Sequence, residues 1–290
     1  MMLKSLAYYG ATVSNLEESV AFYRDVLHMK VQSTYEESGK ALEEATGFPG
    51  VHIKEAILSF EGFDNRRIKL IEYISPKGKQ TFDLKFNDVG SAHPTLPPIG
   101  GKLEEAYDML RANGVKFLGP RIARPAEEFP QRGMAFVIDP DGLLLELYNG
   151  EYHLGHCVSD RDKLMYFYGY VLGLLPYRIS HRTSKEIEVG LQVPGGQTMV
   201  AFMVIEPNQA VEFYSFPVAK GKQQYELKLC DVGSTHVAFN VDDIEQAYAQ
   251  IKAKGAKFIS KPVHRAEKPE ATMVYIIDPD GYVLELRQEQ

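Results

Sequence analysis

Cysteine is scarce in this chain: its 290 residues include two, Cys157 and Cys230. Two thiols without CxxC spacing exclude a disulfide framework and imply a reducing compartment. Long apolar runs are missing as well. No stretch approaches the roughly 18 residues that a membrane span requires, and MMLKSLAYYG has no apolar core behind its lysine. Neither a span nor a secretion signal is therefore expected. Positive charge is in deficit, with a net charge of -7 spread along the chain. That distribution excludes the basic footprint that phosphate backbones require. The expectation is a cytoplasmic protein with neither nucleic acid nor membrane as partner. What is present, 44% hydrophobic residues, suffices for two domains with separate cores.

The chain repeats itself. FDLKFNDVGSAH at 82–93 returns as YELKLCDVGSTH at 225–236, LEEAYDMLRANGVKFLGP at 103–120 as IEQAYAQIKAKGAKFISKP at 244–262, and MAFVIDPDGLLLEL at 134–147 as MVYIIDPDGYVLEL at 273–286. Three matched blocks in one order indicate duplication. A fainter match joins 13–29 to 158–174, and the boundary falls near Asn149 to Glu151, giving modules 1–149 and 150–290.

Within each copy the hydrophobic period alternates between strand and helix values. Leu16, Val20, Tyr23 and Leu27 form a helical stripe, with Ser14 and Glu17 spaced as a capping box. Ile244, Ala247, Tyr248 and Ile251 form another, ended by Gly255. The DPDG turns lead into closing strands, so each copy reads as two βαβββ units, four in the chain, with an α+β architecture.

Strand alternation then assigns faces. In HVAFNV, Val237, Phe239 and Val241 can pack on a helix while His236 and Ala238 look the other way. In HLGHCV, His153, Gly155 and Cys157 take the open face, and in VLEL Glu285 does. Each open face thus sets a histidine or glutamate beside small residues, which leaves room for a ligand.

These features resemble the vicinal oxygen chelate superfamily, which includes glyoxalase I, methylmalonyl-CoA epimerase, extradiol dioxygenases and the fosfomycin and bleomycin resistance proteins. The marks are VSNLEES and VSDRDK after first strands, GSAH and GSTHVAFNVDDI, and DPDG followed by LEL. The resemblance implies half-barrel cups made by paired units, two tandem modules, and metal ligands His153, His236 and Glu285 in the second copy. Two imidazoles and one carboxylate form the facial triad that suits Fe(II), while Mn, Zn, Ni or Co are also accommodated. The first copy departs from the pattern. Tyr8 stands where His153 would, and His93 runs into PTLPPIGG, whose prolines disfavour a regular central strand. Tyr8, Glu72, His93 and Glu146 are accordingly expected to form a retired site.

One active copy behind a degenerate one is similar to the extradiol dioxygenases, in which the C-terminal module carries the chemistry. Tyr275, in VYIIDPDGYVLE, resembles the tyrosine of their signature that hydrogen-bonds a substrate oxygen. The first expectation is an Fe(II) ring-cleavage dioxygenase for a small aromatic diol. Residues 205–235 contain no histidine, so the acid–base role passes to His264. The alternative is a glyoxalase- or epimerase-like isomerase or lyase, in which a carboxylate moves a proton and Glu206 or Met203 occupies a fourth ligand position. A third class is a metal-free binding protein, with Arg265 and Lys268 receiving an anion and Phe213, Tyr214 and Phe216 as an aromatic wall. The substrate is a small molecule in every case. A homo-oligomer stays open, although the fused modules do not need one to complete a cup.

Overall fold

The computed structural model describes residues 3–123, 133–265 and 270–289. Four βαβββ units follow one another. The first comprises β1 (Leu3–Thr12), α1 (Leu16–Ala21), β2 (Met29–Ser38), an inserted α2 (Lys40–Thr46), β3 (His52–Phe60) and β4 (Phe63–Ser75). The second comprises β5 (Ala92–Leu96), α3 (Leu103–Ala112), β6 (Ile122–Ala123), β7 (Gly133–Ile138) and β8 (Leu144–Tyr148). The third has β9 (Tyr152–Cys157), α4 (Arg161–Tyr166), β10 (Leu175–Arg182), α5 (Lys185–Gly190), β11 (Thr198–Glu206) and β12 (Gln209–Ser215). The fourth has β13 (Thr235–Val241), α6 (Ile244–Ala253), β14 (Lys257–Phe258), β15 (Val263–Arg265), β16 (Ala271–Ile277) and β17 (Val283–Glu289).

These units form two mixed sheets, and the pairing runs between the copies. One sheet has the order β14-β16-β17-β13-β1-β4-β3-β2, with β15 on β16; the other is β10-β11-β12-β9-β5-β8-β7-β6. Each cup therefore takes one unit from each copy, joined by the antiparallel pairs β1–β13 and β5–β9. Neither copy closes a cup from its own two units. The connections explain why: residues 149–151 are too short to carry β9 away from the sheet that β8 occupies, whereas 76–91 and 216–234 are long enough to cross. The crossing segments latch onto one another. Asp88 accepts from the Lys222 amide and Asp231 from the Lys79 amide, so the repeated DVGS blocks are structural clasps.

Helix-facing strand residues behave as the alternation requires. Val237, Phe239, Val241, Leu154 and Val158 lie in the main core with Tyr23, Leu27 and Ile251. Both DPDG turns are closed by their first aspartate, Asp139 accepting from the Leu143 amide and Asp278 from the Tyr282 amide, with Gly142 and Gly281 at φ 94° and 90°. Burial raises both carboxyls to about 7. Two local expectations change. Asn15, not Ser14, caps α1, because the Ser14 amide is taken by Asp141. And β5 does form a central strand through Pro94, where the hydroxyl of Thr95 bonds both the carbonyl and the amide of His153 across the ladder. A side-chain hydroxyl thus replaces ladder bonding that the proline-rich segment cannot supply.

Candidate metal centre

Four polar side chains meet in the sheet formed by the second and third units. Glu212, His153, His93 and Glu146 come from the adjacent strands β12, β9, β5 and β8, and one donor atom from each lies within 4.8 Å of the others. The register explains the convergence: Gly155 lies between His93 on one side and Glu212 on the other, and Thr95 opposes Glu146. His153 is two residues before Gly155, so alternation returns it to the same face.

All four residues are buried. His153 Nε2 lies 3.0 Å from Glu146 Oε2 and 3.3 Å from Glu212 Oε2, and His93 Nε2 lies 3.5 Å from each carboxylate. Yet His93 Nε2, His153 Nε2 and Glu146 Oε2 make no hydrogen bond. Close approach without hydrogen-bond alignment is how donors look when they face a shared point, and an orphaned buried polar atom needs an occupant. The spread is near what metal–ligand distances of about 2.0–2.2 Å impose. His153 is also oriented from behind, because its Nδ1–H donates to the Glu151 carbonyl at 3.2 Å and leaves the Nε2 lone pair for the cup.

Gly155 supplies the space. A Cβ there would stand 2.5 Å from His93 Nε2 and 2.8 Å from Glu212 Oε2, inside the cradle itself. Charge supplies the second argument. Two carboxylates and two neutral imidazoles sum to -2, which a divalent ion cancels. Without an ion, the imidazoles must take protons: burial opposes it, but Glu212 and Glu146 raise His153 to about 10. Burial would likewise raise the Glu146 carboxyl, yet His153 and His93 hold it down at about 2. The donor set fits a divalent ion.

The other sheet holds the equivalent positions with different chemistry. At the place of Gly155 is Gly10, and opposite it Lys69 occupies the position of Glu212. Tyr8 replaces His153. Its hydroxyl donates to Glu285 Oε1 at 2.6 Å and accepts from Arg287 at 2.9 Å, and the buried Lys69 ammonium lies 3.1 Å from Glu55. Arg265 pairs with Glu37 and Glu55. Among the described residues three buried cations thus face the carboxylates of Glu37, Glu55 and Glu285, which balance them without an ion. Among the described residues no second group of three or more donors occurs.

The grouping of His153 with His236 and Glu285 is therefore corrected: His153 belongs to one sheet, and His236 and Glu285, 3.3 Å apart, to the other. Tyr275 opposes Glu285 in the ladder and meets the edge of His236 with ring centres 5.6 Å apart, again in the lysine-containing cup. His264 is exposed on β15, which pairs with β16 in the sheet of the lysine-containing cup, whereas the four donors lie in the other sheet. Glu72 accepts from the Leu16 amide at the start of α1, Arg265 is fully buried in ion pairs, and Lys268 lies outside the described residues. Glu206 ends β11, and the fourth donor is Glu212 instead. The signal that finds it is the offset of 143 that relates His93 to His236 and also Lys69 to Glu212; matching Pro76 to Pro207 misleads.

Comparison with known proteins agrees with this architecture. The family model "Glyoxalase/Bleomycin resistance protein/Dioxygenase superfamily" matches residues 5–147 and again 152–286. A probable lactoylglutathione lyase of Vibrio parahaemolyticus is 26% identical over 133 residues, 46% of this chain and 86% of that protein. The lactoylglutathione lyase of Shigella flexneri is 24% identical over 133 residues, 46% and 87% respectively. Glyoxalase I of Zea mays shares the fold, with a TM-score of 0.67 at 16% identity over 98% of this chain and 92% of its own. With both halves matched and two half-barrel cups in place, the chain belongs to the Glyoxalase/Bleomycin resistance protein/Dioxygenase superfamily.

Proposed function

We propose that this protein is a metal-dependent isomerase or lyase acting on a small molecule with vicinal oxygens, with His93, Glu146, His153 and Glu212 as the ligands of one divalent ion per chain. The observation that carries the reading is the convergence of two imidazoles and two carboxylates around Gly155. A fourth protein donor exceeds the facial triad expected for ring cleavage and suits carbonyl chemistry. The relatives named lactoylglutathione lyase support the same class.

A divalent ion held there supplies a Lewis acid for two neighbouring substrate oxygens. The chain supplies the rest. Glu212 is the less buried carboxylate, with 8% of its side chain exposed against 4% for Glu146, and lies farther from His153. It is assigned the proton transfer: a Glu212 carboxylate oxygen takes the proton of the hydroxyl-bearing carbon beside the carbonyl and returns it to the former carbonyl carbon, while the hydroxyl proton passes to the former carbonyl oxygen, so that carbonyl and hydroxyl exchange places. Glu146, the carboxylate closer to His153, stays a ligand throughout and keeps its negative charge in the cup. Phe86, Phe136 and Tyr214 exclude water around His93.

The test compares two assays on protein loaded anaerobically with Fe(II), Mn(II), Ni(II), Co(II) or Zn(II). Isomerisation of the thiol adducts of 2-oxoaldehydes, without oxygen uptake, is expected. Oxygen uptake with catechols and a yellow ring-fission product would replace this reading with the dioxygenase.

A further inference from the structure

The walls of the four-donor cup carry one more charge. Its cavity measures about 30 Å³ and is bounded by Phe86, Phe136, Tyr214, Ile187 and Leu191, with Arg182 as the one Lys or Arg among the lining residues. So small a space next to the donors admits only the compact reacting end of a ligand. Arg182 ends β10, half-buried, and among the described residues its guanidinium makes no hydrogen bond and no ion pair within 4 Å, its charge acting instead at longer range on Glu212; its backbone carbonyl is used by Thr198. Arg178, two alternation periods back along β10 on the same face, is already engaged: it lies 3.8 Å from Glu151 and 4.1 Å above the Phe202 ring.

Charge arithmetic gives the guanidinium a meaning once an ion takes up the charge of Glu212. A divalent ion neutralises Glu146 and Glu212, so a loaded cup is left with the single positive charge of Arg182. A half-buried charge facing a cavity is stabilised by an opposite charge arriving with the ligand, and guanidinium favours carboxylate through paired N–H donors. We propose that Arg182 is the anion-binding residue of this cup and that the substrate is a small monoanion, with a vicinal oxygen pair at one end and a carboxylate at the other. The inference rests on the metal reading above and deepens it by adding a charge requirement.

The probes are 3,4-dihydroxybutanoate and its amide, which share the vicinal hydroxyls and differ in charge. Their binding to Mn(II)-loaded protein is measured by calorimetry, alongside metal content, for the natural chain, Arg182→Gln and Arg178→Gln. The natural chain should prefer the acid; Arg182→Gln should weaken the acid roughly tenfold or more, as expected for a charge-assisted pair, and the amide less than about twofold, with metal content unchanged. Arg178→Gln should keep the preference. Equal binding of acid and amide by the metal-loaded natural chain, or an unchanged preference in Arg182→Gln, overturns the inference while leaving the metal centre intact. Absence of metal uptake by the natural chain overturns the metal reading itself.

Discussion

At the residue scale the cup depends on four donors and one missing side chain. His93→Ala, Glu146→Ala, His153→Ala and Glu212→Ala should each lower metal content from one ion per chain to near zero by elemental analysis, because a buried cavity with an unbalanced donor set holds an ion poorly. His236→Ala and Glu285→Ala should leave it at one. Gly155→Ala should also empty the site, since its methyl would stand against His93 and Glu212. Protons give a second observable. His153 is raised from 6.5 to about 10 in the metal-free chain, so an ion binding at pH 7 must displace its proton. Calorimetry in buffers of different ionisation enthalpy should detect release of about one to two protons per ion. The sign for stability follows from the same shift. The His153 contribution is complete below 6.5 and is lost as pH rises through about 10, so the Tm of the metal-free protein should fall between pH 7 and 10. Glu146, lowered from 4.5 to about 2, contributes above 4.5 and loses that contribution as pH falls through about 2. The sequence had already placed His153 beside Gly155 on an open face, because alternation is a local property. It did not reveal Glu212, whose position depends on how β12 lies against β9.

At the scale of elements, the two cups are the same construction with different charge. In one, β9 and β12 present His153 and Glu212; in the other, β1 and β4 present Tyr8 and Lys69. The ammonium of Lys69 fills electrostatically the place of the ion. Lys69→Met should therefore destabilise the fold by about 3–5 kcal/mol in urea unfolding, the cost of stripping one partner from a buried ion pair. The combined change Tyr8→His with Lys69→Glu recreates two imidazoles and two carboxylates beside Gly10. That variant is expected to take up a second divalent ion per chain; a stoichiometry that stays at one would show that charge balance does not decide which cup binds metal. Helices and turns were legible in advance for the same reason as the open faces: apolar spacing, the DPDG signature and Gly255, at φ 88°, are chemically local. The π-helical turn Phe22–Val26 was not, because α-helical periodicity survives one looser turn.

At the scale of the whole molecule, the two copies exchange halves, so neither is a self-sufficient module. Residues 1–149 and 150–290 produced separately should bind no metal, since His93 and Glu146 lie on one fragment and His153 and Glu212 on the other. Mixing them should restore one ion per pair, read by elemental analysis of the reassembled species. If either fragment binds an ion alone at the full chain's affinity, the shared cup is wrong. The sequence by itself determined the duplication, the four units, their turns and the open faces on which His153, His236 and Glu285 stand, because these follow from repeated blocks and from periods of two and three-and-a-half residues. Only the tertiary structure decided which donors meet. Units of near-identical pattern offer each other equivalent strand edges, and the choice among them is made by what lies far apart in the chain: the short 149–151 connection that keeps the second and third units in one sheet, the long crossings clasped through Asp88 and Asp231, and the charge of Lys69 against that of Glu212.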